Sequence, residues 1–183
     1  ASPALTAGED PSLSEALTRL GGSRTDSVVV TDDEGHPAGI LTEHDLVRYA
    51  GRVLPEGSPV HEIASHPILT NERFEQAHRA LELMLSNHVR HLVVISEGML
   101  YGVLSLRDVV RATSPSGSTL RCDQVISSPV VHKATEQTST RAAARRMAEW
   151  KIGCLPVVDE QDRPMAIVTR RDIMGSLMDH VHE

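Results

Sequence analysis

The sequence is poor in aromatic residues, with one Phe, one Trp and two Tyr among 183 residues. That scarcity predicts a core of Val, Ile, Leu and Ala, and it disfavours a protein that reads exposed bases by stacking them on aromatic rings. Cysteine is equally scarce. Cys122 and Cys154 form neither a CxxC pair nor a disulfide framework, so reduced thiols in a cytoplasmic setting are the expectation. No run approaches the ~20 apolar residues that a membrane helix needs, and no secretory signal is visible. The chain therefore reads as soluble. Its net charge is −7, carried unevenly. Residues 1–57 hold 4 Arg against 10 Asp and Glu, residues 58–117 hold 5 cations against 6 acids, and residues 118–183 hold 9 of each. Without a basic stripe, neither a duplex-binding face nor a nucleic-acid partner is expected. Nucleophile elbows, P-loops and His-Glu-x-x-His motifs are also absent, so no catalytic residue is assigned.

What the chain does contain is a statement made three times. Gly39-Ile40-Leu41-Thr42-Glu43-His44-Asp45, Gly102-Val103-Leu104-Ser105-Leu106-Arg107-Asp108 and Ala166-Ile167-Val168-Thr169-Arg170-Arg171-Asp172 share one pattern. It is a small residue, two aliphatics, a hydroxyl, two variable residues and an aspartate. The hydroxyls fall at 42, 105 and 169, spacings of 63 and 64 residues. A period of this size marks a repeated structural unit, and single units this small bury too little surface to be stable alone. Stacking the units is the natural remedy.

Each copy reads as strand, helix, strand, strand, helix. In the first, Ala4-Leu5-Thr6 is a short strand, and Leu13, Ala16, Leu17 and Leu20 recur at helical spacing until Gly21-Gly22 stops them. Ser27 to Thr31 and Ala38 to Leu41 are strands around a polar turn, and Thr42 opens the closing helix. In the second, Ile68-Leu69-Thr70 is the strand, and Phe74, Ala77, Leu81 and Met84 trace the helix. His91 to Ile95 and Leu100 to Leu104 flank a tight Glu97-Gly98 turn. In the third, Val130-Val131 leads, Ala143, Met147 and Trp150 mark the helix, and Cys154 to Val158 and Met165 to Val168 are strands. Polar connectors run from Gly51 to Pro59 and from Thr113 to Thr119. Each is followed by a short amphipathic turn, Val60 to Ile63 and Cys122 to Ile126. The first copy lacks such a lead-in, which suggests a piece of a longer protein. The division is thus 1–57, 58–117 and 118–183.

The leading Ser2-Pro3, His66-Pro67 and Ser128-Pro129, the run from Lys151 to Asp159 and the Gly-h-h-Thr/Ser-x-x-Asp endings together resemble tandem CBS motifs, named from cystathionine β-synthase. The resemblance covers essentially the whole chain as three copies in register. It implies an α+β fold of β-α-β-β-α repeats, paired into a Bateman module by pseudo-twofold packing of their sheets. It also implies a regulatory, non-catalytic module whose clefts bind adenosine-containing ligands.

The hydroxyl and the aspartate have two readings that do not exclude one another. Ser/Thr-x-x-Asp before an apolar helix resembles a capping box, in which the hydroxyl accepts from a first-turn amide and the acid complements the helix dipole. The same helix start presents N–H groups where a phosphate can sit. By resemblance, Thr42, Ser105 and Thr169 meet a ribose or phosphate oxygen, while Asp45, Asp108 and Asp172 accept from the ribose hydroxyls. Neighbouring cations rank the copies. Aligning the second strands puts Arg24, His88 and Lys151 together, with Arg90-His91 following in the second copy. Arg107 and the Arg170-Arg171 pair add charge to the second and third motifs, whereas the first places Glu43 there. The candidate ligand-binding set is Thr42, Asp45, Thr70, Arg90, His91, Ser105, Arg107, Asp108, Lys151, Thr169, Arg170 and Asp172. A phosphate-bearing ligand is expected at the second or third copy, with Ala166 in place of glycine narrowing the third. The histidine pairs His88/His91 and His180/His182 lack partners at metal-site spacing, so no metal site is assigned.

The leading expectation is a ligand-sensing module that binds AMP, ADP, ATP, S-adenosylmethionine or NAD, requires no cofactor, and controls an effector domain in a longer parent chain. A dimerisation scaffold with empty clefts is the alternative reading, and an enzyme using the cleft is a second rival. Three is an odd number for units that pair, and the two connectors are too alike to say which two do. If the first two pair, the third needs a mate in a second chain or a fourth repeat. A homodimer is expected.

Overall fold

The computed structural model describes residues 6–7, 12–21, 26–112, 120–126 and 131–182. Three repeats emerge. The first contains β1 (Thr6–Ala7), α1 (Leu13–Gly21), β2 (Ser27–Thr31), β3 (Pro37–Thr42) and α2 (Glu43–Val53). A one-turn 3-10 helix (Val60–Glu62) leads into β4 (Thr70–Glu72), α3 (Ala77–Ser86), β5 (His91–Ser96), β6 (Met99–Ser105) and α4 (Leu106–Ala112). The short α5 (Cys122–Val125) then leads into β7 (Ala134–Thr135), α6 (Thr140–Glu149), β8 (Cys154–Val158), β9 (Pro164–Thr169) and α7 (Arg170–His182). Each repeat folds one three-stranded sheet in chain order, β1-β2-β3, β4-β5-β6 and β7-β8-β9. In the first two the opening strand runs parallel to the middle one and the last two form an antiparallel hairpin.

Local chemistry fixes the hairpins. Asp32 Oδ1 accepts from the Glu34 and His36 amides (3.0 and 2.7 Å), and Asp159 Oδ1 does the same for Gln161 and Arg163 (both 2.9 Å). A carboxylate that satisfies its own turn's amides is a self-contained turn former. In the second repeat the turn is instead two residues long, Glu97 and Gly98 at φ 54° and 78°, which suits the twist of flanking strands. Both hairpins with a described register slip at the same place, after Val30 and after Val94.

Four details differ from the expectations. Strand β4 begins at Thr70, because its parallel partner first reaches it where the Val93 amide meets the Leu69 carbonyl (3.3 Å). The third repeat's opening strand is Ala134–Thr135, and Ser128 to Val130 lie outside the described residues. Phe74 precedes α3 and is 59% exposed, its ring under the guanidinium groups of Arg73 and Arg121 (4.8 and 5.1 Å). Trp150 ends α6 as its cap residue. Arg24, Ala4 and Leu5 and the connector at 113–119 also lie outside the described residues.

The chain packs as two compact units, each drawing on more than one repeat. The first takes residues 1–63, 138–153 and 168–183. There α2 lies against α6 and α7, and α1 against α7. Gly51, expected in a connector, is buried within α2. A β-carbon on it would stand 3.0 and 3.2 Å from the Arg145 backbone, and its carbonyl accepts from Arg145 Nε (2.6 Å). The second unit takes residues 64–137 and 154–167. Its core includes Ala80, Met84, Leu92, Val94, Leu104 and Val109.

One hydrogen-bond pattern occurs once in each unit. In the first, the Val60 amide donates to the Thr138 carbonyl and the Thr140 amide to the Ser58 carbonyl, both 2.8 Å. In the second, the Cys122 amide donates to Glu75 (2.9 Å) and the Ala77 amide to Leu120 (2.7 Å). Residues 58–60 and 120–122 are equivalent lead-ins, and 75–77 and 138–140 are equivalent helix starts. The second and third repeats therefore exchange lead-ins reciprocally, once in each unit. Ser65 adds an edge contact to this pair by trading two backbone bonds with Ile167 of β9 (2.8 and 3.3 Å).

Candidate functional site

The three Thr/Ser-x-x-Asp motifs fold alike. In each, the hydroxyl ends the last strand and the aspartate sits three residues on, in the first turn of the following helix. The Thr42, Ser105 and Thr169 hydroxyls all donate to Oδ2 of their aspartate, at 2.6 Å in the first repeat and 2.7 Å in the third. The same Oδ2 accepts from the Thr42, Ser105 and Thr169 amides at 3.1, 3.3 and 2.7 Å. In the first two repeats the aspartate amide also donates back to the hydroxyl oxygen (3.3 and 3.2 Å), completing a capping box. The Thr42 hydroxyl, ahead of the Arg48 and His44 charges, holds the Asp45 carboxyl below its ordinary range.

This accounting revises the expectation of open amides at the helix start. The first helical amide is already bonded to the carbonyl before the middle strand: Glu43 to Asp26 (3.2 Å), Leu106 to Arg90 (2.8 Å) and Arg170 to Gly153 (3.2 Å). The third is taken by the cap hydroxyl in repeats one and two. An anion arriving here meets a helix end whose donors are mostly spent, so side chains must supply much of the grip.

The second repeat gathers most of its candidates. His91 opens β5 directly across the ladder from Ser105, and the Arg90 carbonyl ties down Leu106. Arg107 and Arg90 are exposed. Thr70 is half-buried at the start of β4, paired with Val93 and two residues along β5 from His91. In the third repeat, Lys151 takes φ 55°, the same left-handed position as His88, which confirms the alignment of those two. Arg170 is half-buried with Nε lacking a hydrogen-bond partner. Its neighbour Arg171 stands 4.0 Å from Glu43, a carboxylate only 7% exposed. The first repeat's acid and the third repeat's cation are thus brought together in one unit.

Sequence reasoning missed Arg48. It donates to Asp45 Oδ1 (2.9 Å). The i,i+3 spacing was the available signal. Beside this pair a groove of about 700 Å³ runs along Leu13, Gly39, Ile40, Tyr49 and Arg52. Among the described residues, the one trio with metal-ligand chemistry is Asp32, Glu34 and His36 on the first hairpin, where Asp32 is engaged by its own turn. Cys122 is buried, accepts from Asn71 (3.4 Å), and burial pushes its thiol up to about 11. It is a core residue. No helix among the described residues is long and apolar enough to cross a membrane.

The fold is a tandem array of three β-α-β-β-α repeats, each closing on a hydroxyl–aspartate cap. The CBS domain family model matches residues 1–52, 54–114 and 122–179, and the chain belongs to that family. Among its relatives, protein MJ1225 of Methanocaldococcus jannaschii is 22% identical over 93% of this chain and 65% of the relative. This chain therefore spans less than two thirds of that protein. The crystal structure of MJ1225 superposes with a TM-score of 0.80 over 96% of this chain and 68% of its own. The CBS domain pair of protein MJ0100, solved with 5-methylthioadenosine and S-adenosyl-L-methionine, is 26% identical over 66% of this chain and 99% of its own, with a TM-score of 0.60. The cytosolic domain of the Mg2+ channel MgtE, solved with ATP, is 26% identical over 66% of this chain and 49% of its own, with a TM-score of 0.57.

Proposed function

We propose that this chain is a regulatory module that senses an adenosine-containing ligand, with the strongest site at Ser105 and Asp108 of the second repeat. The observation that carries this reading is the fixed carboxylate. Ser105 holds Asp108 Oδ2 from two directions at the end of β6, so the acid is oriented before any ligand arrives. A preoriented acceptor suits the two hydroxyls of a ribose. His91 across the ladder and Arg107 in the first turn supply cationic chemistry for phosphate. The ligands held by the MJ0100 pair and the MgtE domain support the class. AMP, ADP, ATP, S-adenosylmethionine and NAD are the candidates.

Binding would favour one packing of the paired second and third repeats, and so bias an effector domain in a longer parent chain. The module acts in the cytoplasm as a homodimer, without catalytic residues or a required cofactor. Calorimetric titration of the candidates against Asp108→Ala, Asp172→Ala and Asp45→Ala tests the assignment. Loss of binding in the Asp108 variant is expected, a partial loss at most in the Asp172 variant, and none in the Asp45 variant. Loss confined to Asp45→Ala would overturn it.

One observation favours a scaffold role for the first repeat. Both oxygens of Asp45 are occupied, Oδ2 by Thr42 and Oδ1 by Arg48. In that repeat the motif starts a helix and its cleft stays empty.

A further inference from the structure

Among the described residues, Glu43 is the only charged side chain that is buried, at 7% exposure. It opens α2, while Arg170 and Arg171 open α7, which packs against α2 in the same unit. Glu43 Oε1 lies 4.0 Å from Arg171 Nε, and its own helix start offers it the favourable end of the dipole. A carboxylate leaves water at a large cost unless cations face it, so folding commits an acid of the first repeat to the third repeat's cationic turn. That turn otherwise has the parts of a phosphate grip. Thr169 orients Asp172 as a ribose acceptor, and two arginines stand between them in the chain. With the first amide of α7 spent on the Gly153 carbonyl (3.2 Å), a phosphate depends chiefly on those arginines. Arg171 already faces an acid. Arg170 keeps a buried Nε without a hydrogen-bond partner, a donor that a neutral sugar oxygen or base nitrogen can fill. In the second repeat the counterpart of Arg171 is Arg107, which is exposed and has no carboxylate partner among the described residues.

We infer that Glu43 sets the ligand class of the third repeat: the Thr169–Asp172 motif takes a nucleoside without a 5′-phosphate, while the Ser105–Asp108 motif takes the phosphorylated one. The assignment rests on the adenosine-ligand reading of these motifs and deepens it. A phosphate arriving beside Arg171 competes for that guanidinium with a carboxylate that is held in place and cannot turn away to solvent. Like charges repel far more strongly in such a partly dry setting than in bulk water. A neutral 5′ group, or the cationic sulfonium of S-adenosylmethionine, meets no such penalty. Glu43 acts through Arg171 and through its field, as a positioning residue that need not touch the ligand. The first repeat thus contributes to ligand choice even with its own cleft empty. The loss expected for Asp108→Ala then falls on the phosphorylated candidates, and S-adenosylmethionine binding persists.

Calorimetric titration of the whole chain with adenosine and with AMP tests this one site at a time. Asp108→Ala isolates the third repeat, and Asp172→Ala isolates the second. In Asp108→Ala, adenosine should bind about tenfold tighter than AMP, and in Asp172→Ala the order should reverse. Adding Glu43→Gln to Asp108→Ala should raise AMP affinity about tenfold and leave adenosine unchanged. Glu43→Asp, which keeps the charge, should keep the discrimination. Circular dichroism melting checks that the Glu43→Gln chain is folded. If it is not, the adenosine-to-AMP ratios of the two single variants still decide, because they leave Glu43 in place. An Asp108→Ala chain that prefers AMP, or that binds neither compound, overturns the inference. So does an equal gain of AMP and adenosine on Glu43→Gln. Each of these leaves the ligand reading at Asp108 standing, whereas failure of the unaltered chain to bind any nucleoside or nucleotide removes both.

Discussion

Val29 and Val93 occupy the same place in two copies of one repeat, the third residue of the middle strand, and their surroundings differ. Val93 is fully buried, along with Leu92 and Val94 beside it, and every residue of β8 in the third repeat is buried too. In β2 only Val28 is buried. The sequences of the three strands are similarly apolar. The difference teaches that a strand's composition licenses two-sided burial but does not deliver it; delivery depends on whether a second repeat covers the far face and edge.

The matched valines give the largest test. Val93→Ala should cost about 2 kcal/mol in urea unfolding, from lost transfer energy plus a cavity that close-packed neighbours cannot refill. Val29→Ala should cost less than about 1 kcal/mol, because its site is already partly open. Equal costs would break the comparison.

The glycines give a smaller one. Gly102→Ala should destabilise by about 1 kcal/mol, since its methyl meets Ile126 Cδ1, and Ile126→Val should recover most of the loss by removing that atom. Gly39→Ala should be neutral or gain a few tenths of a kcal/mol, as the strand loses a flexible residue where space is open. The third repeat already holds an alanine at this position, Ala166, which is 4% exposed. Its lead-in counterpart to Ile126 is Ala64, so the two repeats exchange bulk across equivalent contacts.

The smallest effect is in pH. Asp45 is held below its ordinary 3.8, so its contribution is present above that value and is lost as pH falls through and below it. Cys122 is raised from 9.0 to about 11, so its contribution is present below 9 and is lost as pH rises from 9 towards 11. Asp45→Asn should flatten the acid limb of a stability profile, and Cys122→Ala the alkaline limb. An unchanged limb in either variant would detach that residue from the titration.

Much of the fold was legible because it is written in short range. The helical stripe at Leu13, Ala16, Leu17 and Leu20, the hairpin turns and the caps at Thr42, Ser105 and Thr169 depend on residues within a few positions of each other. The misplacements share one cause. Phe74 fits a helical spacing with Ala77, yet it lies on the surface under two arginines, one of them Arg121 from the next repeat's lead-in. Gly51 reads as a linker residue until Arg145 is found against it. The candidate motifs were half legible: their hydroxyls and acids were named, while the pairings of Arg48 with Asp45 and of Arg171 with Glu43 were not.

The sequence by itself determined the repeat, its strand and helix order, and the hydroxyl–aspartate caps, because local hydrogen bonding and hydrophobic periodicity need no distant partner. Only the tertiary structure decided that repeats two and three exchange lead-ins. Three near-identical units offer nearly the same surfaces for pairing. The choice among them rests on contacts such as Ser65 with Ile167 and Gly51 with Arg145, made between residues about a hundred positions apart.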